Sequence, residues 1–274
     1  QASGNSLRIL AAATLTIFVA IYISAQIDLT GQAFEKFLGW DYFVGAIVGF
    51  VIVMAYTLSG GFVAVAWSDL FQGLVMLLCL VGLPVLVWFS IDPAQGLFYE
   101  LGQIDPALLD FWGSSKGPWI QAATMVGFLG IGLGFLGSPQ VFVRFMSIKN
   151  ESEINRGRWV AVAFTVITDT AAVFIGILGR YVFTRSGIAV EEALGQNAED
   201  VLALLVEAFL PLALSGLYVA AVLSAIMSTI DSLLVVASSA VVRDFYQQVF
   251  RPDLKEKNLA GFSRAVTVAI SLTA

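Results

Sequence analysis

Long apolar runs separated by short polar breaks dominate the chain. Seven such runs stand out, at residues 9–26, 42–58, 65–90, 119–145, 159–183, 212–242 and 259–274. Roughly 20 apolar residues in a helix cross a bilayer core about 30 Å thick. A helix also satisfies its own backbone polar groups, which lipid cannot do. The pattern therefore predicts an all-α integral membrane fold with about seven transmembrane helices. Ahead of the sixth span, residues 197–209 read as a short amphipathic helix, broken from that span by Pro211. The loop at 91–118 carries Asp92, Glu100, Asp105 and Asp110 against Lys116, with Trp112 and Trp119 suited to a membrane interface.

The sixth span breaks the apolar rule in an ordered way. Its stretch 217–242 reads LYVAAVLSAIMSTIDSLLVVASSAVV. At about 100° per residue, Leu223, Ile226, Met227, Ile230, Leu233, Leu234, Ala237 and Val241 share one face. Ser224, Ser228, Thr229, Asp231, Ser232 and Ser239 share the other. Hydroxyls alone are explained by back-bonding to the helix's own carbonyls and by close helix packing. A carboxylate among them is not, because an intramembrane charge is costly without a partner. Hard cations take oxygen ligands, so this face is expected to hold a cation such as Na⁺.

Composition and charge then set limits. The chain is 58% hydrophobic and 12% charged, against about 25% charged in soluble domains. It has no His and one Cys, Cys79 in an apolar run, which excludes the usual His/Cys zinc cluster and a disulfide framework. The same absences, with no nucleophile–base pair, argue against an intramembrane enzyme. A channel would want a ring of charges or carbonyls along a continuous pore, and scattered polar groups on one helix do not supply it. With the N-terminus cytoplasmic, ten Lys and Arg fall inside: Arg8, Arg144, Lys149, Arg156, Arg158, Arg243, Arg251, Lys255, Lys257 and Arg264. Four fall outside, Lys36, Lys116, Arg180 and Arg185, as the positive-inside rule requires of alternating spans. The expected location is the plasma membrane, multi-pass, of the bacterial inner-membrane kind. The chain opens on Gln1 and stops at Ala274 inside an apolar run, and reads as one transmembrane domain, 1–274, cut from the middle of a longer protein.

Three further features bear on chemistry. Ser59-Gly60-Gly61 divides the second span from the third, placing Asp69 in the first turns of the latter. The bland role there is a carboxylate near a helix N-terminus, with Trp67 an interface anchor. The fourth span holds Gly127, Gly130, Gly132, Gly134 and Gly137 followed by Ser138-Pro139. Its GxGxxG lacks the strand and βαβ context of a nucleotide site. Close helix packing and a helix interrupted at mid-membrane both fit, and the glycine density with Pro139 favours interruption. Asp169, flanked by Thr168 and Thr170, is an intramembrane acid and a candidate by that fact alone, with a protonated carboxyl or a hydrogen bond to Thr165 as the alternatives.

Three stretches taken together, GGFVAVAWSDLFQG (60–73), LGFLGSPQVFVRFMS (133–147) and AAVLSAIMSTIDSLLVVASSAVVRDFY (220–246), resemble the sodium:solute symporter family in order and spacing. The resemblance implies a five-plus-five inverted-repeat transporter core with substrate and ions near the midplane. The seven spans would then be the third to ninth core helices. It implies a main sodium site at the carbonyl of Ala225 and the hydroxyls of Ser228 and Thr229. A second sodium site would draw on Asp69 with Ser228, Asp231 and Ser232, although several relatives have a hydroxyl where this chain has Asp231. In the proline-transporting members, Trp, Tyr and Pro contribute to the substrate site. The matching residues here are Ile131, Phe135 and Pro139, so an indole N–H and a phenol hydroxyl are lost. The implied function is sodium-coupled import of a small organic solute, proline or a related amino acid, with no nucleic acid involved. Another substrate such as a monocarboxylate or pantothenate, and a transporter-like sensor domain, remain as alternatives.

Overall fold

The computed structural model describes residues 2–93, 95–110, 117–185, 188–195, 198–250 and 259–273. Trp112, Lys116, Asn197, Arg251, Lys255 and Lys257, which entered the reading of loops and charge, lie outside the described residues. All regular elements among the described residues are helical. In chain order they are α1 (Ala2–Leu38), α2 (Tyr42–Ser90), α3 (Leu97–Ile104), a 3-10 turn (Pro106–Leu109), α4 (Pro118–Leu136) and α5 (Pro139–Met146). Then come α6 (Glu151–Thr184), α7 (Val190–Leu194), α8 (Val201–Phe209), α9 (Leu212–Ser239), a π-helical segment (Ala240–Phe250) and α10 (Leu259–Thr273).

Among the described residues, five stretches are long and apolar enough to cross a membrane: Ser6–Leu38, Tyr42–Ser90, Pro118–Phe135, Glu151–Thr184 and Leu212–Phe250. The expected second and third spans are joined in α2, whose 49 residues reach roughly 74 Å at 1.5 Å each, over twice the bilayer core. The chain resolves this at Gly61, where φ 57° and ψ −156° break the helix. That conformation is essentially reserved for glycine. The helix runs through Ser59 and Gly60 before turning, so the break falls on one residue rather than on the whole predicted polar gap. In α1 the helix continues beyond the predicted end at 26, with Asp28 accepting from the Gln32 amide one turn later at 2.9 Å. The seventh expected span corresponds to α10, 15 residues long.

The fourth span is interrupted, as its glycines and Pro139 led us to expect, but away from its middle. α4 is continuous through Gly127, Gly130, Gly132 and Gly134, and stops only at Gly137 and Ser138, where Pro139 begins α5. Glycine weakens a helix without removing a hydrogen bond, whereas proline lacks the N–H and clashes with the preceding turn. The interruption is therefore near the C-terminal end of the span, not at the middle of the glycine run. The short helix ahead of α9 begins at Val201, later than the predicted 197, and ends as expected before Pro211, with Leu210 its C-cap.

The chain forms two compact units. The first comprises Gln1–Met76 and Val219–Ala274. Its apolar centre contains Val19 and Ile23 of α1, Val53 and Met54 of α2, Ile226, Ile230, Leu233, Leu234 and Ala237 of α9, and Ile270 of α10. Small residues let α1 and α2 approach closely: a Cβ on Gly45 would collide with Phe34, and one on Gly49 with the Thr30 methyl. The second unit is Leu77–Tyr218. There the Tyr218 hydroxyl donates to the Cys79 carbonyl at 2.9 Å, and α6 packs against α7 and α8. Glu100 of α3 accepts from the Tyr181 hydroxyl at 2.7 Å and pairs with Arg185 at 3.8 Å, so part of the acidic 91–118 loop is tied to the end of α6.

Candidate functional site

The site is built on α9 within the first unit. Ile226, Ile230, Leu233, Leu234 and Ala237, expected on the apolar face, are buried in the core. The polar face divides. Ser224, Ser228 and Thr229 are half-buried, Ser239 is exposed, and Ser232 and Asp231 are buried, Asp231 completely at 0%. Through 230–234 the helix is thus enclosed on all sides, and a carboxylate sits among the enclosed residues.

Two hydroxyls converge on one carbonyl. Ser228 Oγ donates to the Ala225 oxygen at 3.0 Å and Thr229 Oγ1 donates to the same oxygen at 3.1 Å. Back-bonding of this kind is common in helices, and Thr16, Ser59 and Thr168 do it elsewhere in the chain. What is particular here is the sharing: three oxygens lie together on one turn, and each hydroxyl keeps lone pairs open to a cation. One turn on, Asp231 Oδ2 accepts from the Tyr56 hydroxyl at 2.9 Å, and Oδ1 accepts from Ser232 Oγ at 3.3 Å. Tyr56 Oη also lies 3.4 Å from the Met227 carbonyl. Asp69 is half-buried and within electrostatic reach of both Asp231 and Tyr56. The structure therefore brings Asp69, Asp231 and Ser232 into one neighbourhood, beside the Ala225, Ser228 and Thr229 turn. Among the described residues no group of three His, Cys, Asp or Glu side chains is arranged to hold a metal.

Tyr56 was not singled out from sequence. Its signal was indirect: a carboxylate at the middle of a span demands a donor, and a tyrosine within another span is one of few that can reach.

The remaining candidates lie in the second unit. Ile131 and Phe135 are one helical turn apart on α4 and exposed at 70% and 64%. Pro139 opens α5 beyond the break and is half-buried. Asp169 is exposed on α6. No hydrogen bond joins it to Thr165 among the described residues, and the Thr165 carbonyl instead accepts from Thr168 Oγ1 at 3.2 Å.

The model of the sodium:solute symporter family matches residues 2–274. The chain belongs to the sodium:solute symporter family. Membership bears out the resemblance carried by 60–73, 133–147 and 220–246. The chain is 31% identical over 268 residues to the high-affinity proline transporter PutP of Bacillus subtilis, covering 98% of this chain and 54% of that protein. It is 31% identical over 274 residues to the osmoregulated proline transporter OpuE of the same organism, covering 100% and 54%. Against a sodium/proline symporter of Staphylococcus aureus the identity is 31% over 275 residues, covering 97% and 51%. This symporter-family chain thus spans about half the length of the curated relatives it matches. A solved structure of a Na⁺-coupled sialic acid symporter, substrate-bound and outward-open, superposes with a TM-score of 0.76 at 22% identity, covering 97% of this chain and 56% of that one. The fold is that of an all-α membrane transporter.

Proposed function

We propose that this chain is the ion-binding portion of a sodium-coupled symporter, residues 1–274 belonging to one transporter domain that imports proline or a related amino acid. The observation that carries the reading is the oxygen set on α9: two hydroxyls sharing the Ala225 carbonyl, one turn from the buried Asp231 and within reach of Asp69. Ala225, Ser228 and Thr229 hold the main sodium ion. Asp69, Asp231 and Ser232 form a second cation site, in which the ion offsets two carboxylates that would otherwise repel. The substrate reading rests on the three proline-transporter relatives, with Ile131, Phe135 and Pro139 on the solute side.

Sodium drives the cycle through differential affinity. An ion that binds one conformation better than the other shifts the population toward it, by no more than that difference. One positive charge falling through 100 mV gains about 2.3 kcal/mol, roughly forty-fold in solute accumulation at 1.4 kcal/mol per decade.

The test is uptake of a labelled amino-acid and carboxylate panel into proteoliposomes holding the full-length protein, with and without a sodium gradient. Ser228→Ala with Thr229→Ala is expected to raise the sodium concentration for half-maximal uptake at least about tenfold, two ligand contacts being lost. Unchanged sodium dependence would remove α9 from the ion site. Uptake of carboxylates with no response to proline would keep the symport reading and replace the substrate.

A further inference from the structure

The two carboxylate oxygens of Asp231 meet different surroundings. Oδ2 accepts from the Tyr56 hydroxyl at 2.9 Å, within the range of about 2.5–3.0 Å usual for hydroxyl donors. Oδ1 accepts from Ser232 Oγ at 3.3 Å, beyond that range, so this second bond is the weaker one. A carboxylate oxygen has two lone pairs, and on Oδ1 they are available to a further partner. One oxygen is committed to the protein. The other is not.

The donor that makes the difference is held in place by packing. Tyr56 lies against the apolar centre of the first unit, two residues from the buried Met54 and three from the fully buried Val53. Its phenol has one proton to give. The Asp231 oxygen at 2.9 Å is a closer and more negative acceptor than the Met227 carbonyl at 3.4 Å, so the proton goes to the carboxylate. Turning that carboxylate to bring both oxygens onto one ion breaks this bond, and Asp231 is too enclosed, at 0% exposure, for water to replace it. Charge adds a second effect. Asp69 is within electrostatic reach of Asp231, so a monovalent ion between the two leaves one negative charge over. A hydrogen bond on Oδ2 draws off part of it.

We propose, on the reading of a second cation site given above, that Tyr56 is its positioning residue: it holds Asp231 to one-oxygen coordination and so sets the site's preference for a monovalent over a divalent cation. Tyr56 touches Asp231 and acts through it, as a residue locked by packing orients a ligand group beside it. Calcium is the informative competitor. It is close to sodium in size, carries twice the charge, and takes carboxylates through one oxygen or two. A site with both carboxylates and no phenol hydroxyl suits it better than the site with the hydroxyl in place.

The full-length protein in detergent is compared as wild type, Tyr56→Phe, Asp231→Ser and the double variant, together with 3-fluorotyrosine at position 56. Sodium and calcium are titrated separately, read by thermal shift and by ion-induced infrared difference spectra of the carboxylate stretches. Asp231→Ser assigns the Asp231 bands by their loss. Wild type is expected to show the wide separation of asymmetric and symmetric stretches that marks binding through one oxygen, and Tyr56→Phe to narrow it. Calcium is expected to gain about tenfold on sodium in Tyr56→Phe, a charged hydrogen bond being removed, and to gain nothing when the same change is made in Asp231→Ser. 3-Fluorotyrosine keeps the ring and strengthens the donor, so it is expected to move the ratio the other way, and it serves where Tyr56→Phe fails to fold. A merely structural role lowers the unfolding temperature in both ions alike and leaves their ratio unmoved. A narrow separation in wild type, or a calcium-to-sodium ratio unchanged by the substitutions at Tyr56, overturns the proposal and leaves the second cation site standing. An ion response unaltered in Asp231→Ser removes that site and the proposal with it.

Discussion

Asp231 and Tyr56 meet across 175 positions of sequence, and each makes sense only through the other. The carboxylate is wholly enclosed, so its oxygens need donors from the protein, and the phenol supplies one at 2.9 Å. Tyr56→Phe keeps the ring and removes the donor. Leaving a buried charged acceptor short of one bond costs about 1–3 kcal/mol. A double-mutant cycle of Tyr56→Phe and Asp231→Asn, followed by thermal unfolding in detergent, is expected to give a coupling energy of about 1 kcal/mol or more. Strict additivity would mean that the two residues act separately. Sequence alone placed Ser228, Thr229 and Asp231 on one helical face, because a 3.6-residue period is written locally. It could not place Tyr56, since which tyrosine reaches a given carboxylate is a question of helix-to-helix packing.

Helix positions and types follow from hydrophobic runs, while helix ends follow from rarer signals. Pro211 and Pro139 stop or start helices where expected, because a missing N–H acts regardless of context. The glycines of α4 do not break it, because a weak propensity yields to an otherwise apolar helix. Between α1 and α2 the decisive property is size. Gly49→Ala sets a methyl against the Thr30 methyl and is expected to lower the unfolding temperature by several degrees. Thr30→Ser removes the opposing methyl and retains the hydroxyl that donates to the Gln26 carbonyl at 2.9 Å, so the double variant is expected to recover most of the loss. If Thr30→Ser gives no recovery, the close approach is not what Gly49 provides. Gly61 is constrained differently, by its backbone. Gly61→Ala is expected to cost about 1–3 kcal/mol through strain alone, measured by the same unfolding experiment.

At the scale of the molecule, the sign and position of charge can be tested without reference to transport. From the Lys and Arg distribution, Ser147 and Gln95 are expected on opposite sides of the bilayer, the first inside. In a cysteine-free background, with Cys79→Ser, Ser147→Cys is expected to resist an impermeant maleimide added outside intact cells, whereas Gln95→Cys is expected to react. The reverse pattern would invert the topology while leaving every helix in place. The burial of α9 has a consequence of another sort, for how the sequence can drift. In its most apolar window 56% of residues are buried, against at most 22% in the other long helices. A helix with one sheltered face tolerates change every third or fourth position. Around Ile230, Asp231, Ser232, Leu233 and Leu234 no face is open, so a saturation library should show tolerance falling to a flat floor there, with no helical rhythm, and recovering its rhythm only toward Leu212.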